Sequence, residues 1–92
     1  MNKKNYSILI CDDSAVLRKT LAYILKDWGI ETIHEAKNGE EAVELYLKHR
    51  PDLVFMDIVM PKKSGLEALS EIRAQDPSAR VVMASSTGTK KN

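Results

Sequence analysis

A parallel α/β sheet with helical crossovers is the fold this sequence predicts, on three observations. Short apolar runs occur without polar alternation, helix-period segments separate them, and acidic or hydroxyl residues stand where the runs end.

Tyr6-Ser7-Ile8-Leu9-Ile10-Cys11, Asp52-Leu53-Val54-Phe55-Met56 and Ala79-Arg80-Val81-Val82-Met83-Ala84 read as strands 1, 3 and 4. Strands of a parallel sheet are covered on both faces, so their apolar residues run together. Glu31-Thr32-Ile33-His34-Glu35 alternates instead, which suits strand 2 at a partly exposed edge. The first helix follows Ser14 as N-cap, carries Leu17, Leu21, Ile24, Leu25 and Trp28 on one stripe, and stops at Gly29. The second begins after Asn38-Gly39, sets Glu40 and Glu41 at its positive dipole end, turns Ala42, Leu45 and Tyr46 inward and ends before Pro51. The third runs from about Gly65 to Gln75, with Leu66, Leu69 and Ile72 as its expected buried stripe and Asp76-Pro77 as its stop. The order β-α-β-α-β-α-β implies right-handed crossovers in one unit covering 1–92.

Composition narrows the function. With 43% hydrophobic and 29% charged residues the chain reads as a globular domain and not as a disordered one. A formal charge of +1, without a block of like charge, predicts no nucleic-acid partner. No apolar run approaches the roughly 20 residues of a membrane span. Ser7-Ile8-Leu9-Ile10 is soon ended by Asp12 and Asp13, so no signal-peptide core is expected and the cytoplasm is the expected location. The lone Cys11 excludes an internal disulfide and reads as a small apolar strand residue.

In a parallel sheet every strand's carboxyl end opens on the same rim, where ligands bind. Strand 1 ends in Asp12-Asp13, strand 3 in Asp57 and strand 4 in Ser85-Ser86-Thr87, so three carboxylates and a group of hydroxyls are expected to converge. Three carboxylates in one place repel one another unless a divalent cation lies between them. Mg²⁺ suits an all-oxygen donor set that retains water, whereas no His or Cys cluster argues for zinc. A carboxylate beside Mg²⁺ is also a nucleophile toward phosphorus, and Asp57, at the end of an apolar strand, is the candidate acceptor. Ser85 is placed to hydrogen-bond the phosphoryl oxygens, with backbone N–H groups after strands 3 and 4, that of Ser86 included. The simpler reading, in which Asp12-Asp13-Ser14 only caps a helix and Asp57 only opens a turn, leaves their shared position at adjacent strand ends unexplained. His34 and His49 fall outside the rim and read as surface residues, and Met56, Met60 and Met83 as packing residues.

Ile8-Leu9-Ile10-Cys11-Asp12-Asp13-Ser14, Ala36-Lys37-Asn38-Gly39-Glu40-Glu41-Ala42, Pro51-Asp52-Leu53-Val54-Phe55-Met56-Asp57-Ile58-Val59-Met60-Pro61 and Val82-Met83-Ala84-Ser85-Ser86 follow in that order. With Gly65 after Met60-Pro61, this pattern resembles the receiver domain of two-component response regulators, the stand-alone chemotaxis type in particular. The resemblance implies a flavodoxin-like sheet in strand order 2-1-3-4 and phosphoryl transfer from a histidine kinase's phosphohistidine to Asp57. It implies Mg²⁺ held by Asp13, Asp57 and the backbone carbonyl of Val59, with Asp12 acting through water. Ser85 is then the switch hydroxyl, and Thr87 falls where the family tunes dephosphorylation. The family's strand 5 lysine and aromatic residue have no counterpart before Asn92, and Lys90 and Lys91 precede that strand. The expectation is therefore a receiver truncated after strand 4, with an under-covered sheet face and a bare strand 4 that associate with another copy.

Three functions compete at this stage. The first is a phosphoacceptor, not an enzyme, that works between a histidine kinase and an unknown downstream protein. The second is a truncated or engineered receiver fragment that self-associates as a structural module and no longer switches. The third, an aspartate-nucleophile phosphatase, needs an acid two residues after the nucleophile, where Val59 stands.

Overall fold

The computed structural model describes residues 6–84. In chain order it forms β1 (Ser7–Cys11), α1 (Ala15–Asp27), β2 (Thr32–Ala36), α2 (Gly39–His49), β3 (Leu53–Asp57), α3 (Gly65–Gln75) and β4 (Val81–Ala84). All pairings are parallel and the sheet order is β2-β1-β3-β4, the flavodoxin-like arrangement expected.

Residue alternation divides the core between two faces of the sheet. Leu9, Cys11, Val54 and Met56 join Ala42 and Tyr46 of α2 and Ala68 and Ile72 of α3 on one face. Ile8 and Ile10 meet Ala22 and Leu25 of α1 on the other. Burying a large aliphatic side chain contributes roughly 1.5–3 kcal/mol, and Leu9, Val54, Met56 and Ile72, all sealed from solvent, anchor the α2/α3 face. Cys11, Met56 and Met60 are buried and Met83 packs against them, as expected of packing residues.

Helix ends follow local chemistry. The Ser14 hydroxyl accepts from the Leu17 amide at 3.2 Å and the Asn38 side chain from the Glu41 amide at 2.8 Å. At Ser64 a full capping box forms with Glu67, a signal the sequence reading passed over. Gly29 ends α1 at φ 101°, in the left-handed region that a Cβ penalises.

Two expectations need correction. Leu66 is 57% exposed and Leu69 only partly buried, so α3 packs through Gly65, Ala68 and Ile72. Ala68 and Ile72 join the core cluster shared by α2, α3 and the sheet, and the period that selected Leu66 lies on another side of the helix. On α1 the predicted stripe splits: Leu25 is buried with Ala22, whereas Leu17 (48%), Ile24 (40%) and Trp28 (68%) remain exposed. On β4, Val82 and Ala84 are exposed while Val81 and Met83 are partly buried, in keeping with the under-covered strand 4 that the sequence predicts.

Candidate functional site

The sheet register assembles the acidic rim. Cys11 lies opposite Met56 across β1 and β3, so Asp12 and Asp57 follow at the same level, and Asp57 is in register with Ala84 of β4. The ladders reach the rim through Asp12 N–H donating to Ala36 O (3.0 Å) and Ile58 N–H to Ala84 O (3.2 Å). Asp12, Asp13 and Asp57 each offer a carboxylate oxygen, all within 4.8 Å of one another. Asp57 is 3% exposed, Asp12 half-buried and Asp13 exposed. Among the described residues this is a three-acid group of metal-binding dimensions, as the sequence predicted.

Neighbouring groups fix the chain at Asp12 and beside Asp57. Asp12 Oδ1 accepts from the Ser14 amide at 2.8 Å, which turns the chain from β1 into α1. Helix capping and acid clustering thus coexist: Ser14 caps, Asp12 makes the turn, and Asp13 and Asp57 close the group. Arg18 Nη1 donates to the Asp12 carbonyl at 2.7 Å while its Nε reaches Glu35 Oε1 at 3.0 Å. Lys19 Nζ takes the other Glu35 oxygen at 3.0 Å. Burial pushes the Glu35 carboxyl up, but the hydrogen bonds and charges of Lys19 and Arg18 outweigh it and leave the group below its usual range. This brace under Asp12 escaped the sequence reading, because Arg18 and Glu35 meet only once α1 lies across β2.

Asp57 is fixed from the opposite side. The Gly65 N–H donates to Ile58 O at 2.8 Å, so the start of α3 sits directly on the end of β3. A Cβ at Gly65 would overlap the carbonyl of Asp57. Between them Lys62 takes φ 70° and the Lys63 N–H donates to Pro61 O at 2.7 Å, a tight γ-turn. The Lys63 ammonium pairs with Glu71, whose hydrogen bond holds it above its ordinary value.

The remaining residues named from sequence separate into three groups. Val59, two residues beyond Asp57, is exposed. Ser85, Ser86 and Thr87 lie outside the described residues. His34 and His49 stand apart from the acids, yet their rings stack with centroids 3.9 Å apart and planes at 13°. Burial, then the Asp12 charge, pushes the Cys11 thiol up to about 12, which keeps it neutral as an apolar strand residue should be. No helix among the described residues is long and apolar enough to cross a membrane.

The response regulator receiver domain family profile matches residues 8–92. The chemotaxis protein CheY of Listeria monocytogenes is 48% identical over 81 residues, covering 88% of this chain and 68% of that protein. The structure of the CheX-CheY-BeF3-Mg²⁺ complex from Borrelia burgdorferi superposes with a TM-score of 0.85 at 42% identity, over 90% of this chain and 63% of that one. Thermotoga maritima response regulator TrrA, solved with Mg²⁺ and BeF, gives 0.84 at 35% identity, over 94% and 74%. The chain thus spans about two thirds of the length of these relatives. Its sheet order, its acidic rim and these matches together make it a member of the response regulator receiver domain family, which acts in two-component signalling.

Proposed function

We propose that this chain is a cytoplasmic phosphoacceptor that takes a phosphoryl group onto Asp57 from a histidine kinase and passes the signal to a downstream protein. The observation that carries the reading is the approach of Asp12, Asp13 and Asp57 within 4.8 Å at the carboxyl ends of β1 and β3. An all-carboxylate donor set with an exposed member suits a hard cation that keeps water, so Mg²⁺ fits. The relatives solved with Mg²⁺ support the same choice. Asp13, Asp57 and the Val59 carbonyl would hold the ion directly and Asp12 through water. When bound, Mg²⁺ neutralises charge on the acids and on the incoming phosphoryl oxygens.

The chain's own residues supply the rest. An Asp57 carboxylate oxygen attacks phosphorus, the P–N bond to the donor imidazole breaks, and the leaving nitrogen takes up a proton. Burial of Asp57 and the seat of α3 on Ile58 orient that oxygen before the donor arrives. Ser85, with the Ser86 backbone N–H, is assigned to the phosphoryl oxygens, and Thr87 to the rate of dephosphorylation. Transfer is stoichiometric, so the chain acts as a signal carrier and not as a turnover enzyme.

Intact mass spectrometry after incubation with a small acyl phosphate and Mg²⁺ tests the reading. One phosphoryl group is expected on the native chain and none on Asp57→Asn or after chelation. Labelling that survives Asp57→Asn, or a native chain that stays unlabelled, overturns it. A native chain that remains unlabelled yet folded would favour the alternative of a module that associates without switching.

A further inference from the structure

The connection that leads from Asp57 into α3 touches a second element, the start of α2. A Cβ at Gly39, the first residue of α2, would lie 1.9 Å from the Lys63 carbonyl oxygen, 2.5 Å from its carbon and 2.6 Å from Lys63 Cβ. Cβ atoms essentially never approach another atom within 3.0 Å, so the two segments meet through the space a side chain would fill.

Gly39 has little room to retreat. Asn38, 6% exposed, accepts from the Glu41 amide at 2.8 Å, and its own carbonyl accepts from the Ala42 amide at 3.0 Å. Ala42 is sealed in the core, and two residues before Asn38 the Ala36 carbonyl holds the Asp12 amide. The turn from β2 into α2 is therefore tied to the helix on one side and to Asp12 on the other. The connection it meets is the softer partner. Val59, Pro61 and Lys62 are exposed, and of residues 59–62 Met60 alone is buried. The ends of the connection are held by the Ile58 amide on Ala84 and the Gly65 amide on Ile58. Between those anchors, the backbone contact with Gly39 decides where Lys63 can lie.

We infer that Gly39 is a positioning residue for phosphoryl transfer: by presenting no side chain to the Lys63 carbonyl, it fixes the β3–α3 connection, and with it the Val59 carbonyl, beside Asp57. The inference rests on the phosphoacceptor reading. A methyl group at Gly39 must be accommodated by the softer side, so Lys63 moves away and the connection moves with it. Asp57 keeps its place in β3, while the backbone that completes the rim around it shifts.

Three readouts test it: Mg²⁺ calorimetry, labelling by a small acyl phosphate, and the Gly65 amide resonance of the metal-free chain. Gly39→Ala should weaken Mg²⁺ binding at least about tenfold and slow labelling at saturating Mg²⁺ by a similar factor. Its Gly65 resonance should move before any metal is added. Tyr46→Phe removes the bond to Asp76 at the other end of α2, so it should lower the melting temperature and leave all three readouts native. A Gly39→Ala chain that is less stable but keeps native affinity, labelling rate and Gly65 resonance overturns the inference, while the native chain's labelling keeps the phosphoacceptor reading. Lys63→Gly and Lys63→Ala both remove the ammonium that pairs with Glu71, but only glycine frees the backbone at the contact. Lys63→Gly should therefore bind Mg²⁺ about two- to fivefold more weakly than Lys63→Ala. Should Gly39→Ala not fold, equal affinities in that pair overturn the inference by themselves. A native chain that neither binds Mg²⁺ nor takes the label overturns the phosphoacceptor reading and the inference together.

Discussion

Gly65 shows how much of the site rests on one missing methyl group. Its amide bonds the Ile58 carbonyl at 2.8 Å, and any Cβ would strike the backbone of Asp57 and Ile58, neither of which has a flexible end to move aside. Gly65→Ala should therefore cost about 1–3 kcal/mol in urea unfolding, as overpacking does elsewhere. It should also displace the Asp57 carboxylate and weaken Mg²⁺ binding, read by calorimetry. An alanine variant with native stability and native affinity would show that the β3–α3 junction is softer than this packing implies. Asp12, Asp13 and Asp57 were legible as a group because strand ends are visible in sequence. Arg18 and Glu35 were not, because nothing in a sequence 17 residues apart says that their side chains share a face of the fold.

Among the elements, α2 is tied to the edge strand β2 by the stacked rings of His34 and His49. Nothing in their local patterns pairs them, since one alternates in a strand and the other closes a helix. Their stacking follows from α2 crossing over β2. Burial first, and His49 second, lower the pKa of His34 from its ordinary 6.5. The unfolded chain therefore binds the proton more readily than the fold does. The stabilisation that goes with a neutral His34 is complete above pH 6.5 and is lost as pH falls from there through the lowered value. Melting followed at about pH 7.5 and about pH 5.5 should show a lower midpoint at the acidic pH, and His49→Gln should shrink that difference. Equal shifts in both proteins would remove His49 from the account. The helices themselves were placed well from caps and periodicity, but their buried faces were not. Ala68 and Ile72, not Leu66, enter the core cluster, because Leu66 lies on another side of the helix at 100° per residue.

At the scale of the whole molecule, the folded state brings Asp57 to the Asp12-Asp13 pair, from which the unfolded chain keeps it apart. An ion that binds only the gathered form stabilises it by mass action, by about 1.4 kcal/mol at tenfold excess over its dissociation constant. For a domain of this size that corresponds to a rise in melting temperature of roughly 5–10 °C. Mg²⁺ should produce such a rise in the native chain and little in Asp13→Asn, while Na⁺ at equal ionic strength should produce little in either. A melting curve indifferent to Mg²⁺ would argue against the rim as a cation site. What the sequence by itself determined is the parallel α/β order, the positions of the strands and the gathering of acids at one rim. Those features follow from local patterning and from the single direction that parallel strands share. The tertiary structure alone decided which face of each helix is covered, which cation braces Asp12, and where apolar surface stays open along α1. Those depend on how close two elements approach, and that distance is set by side chains far apart in the chain.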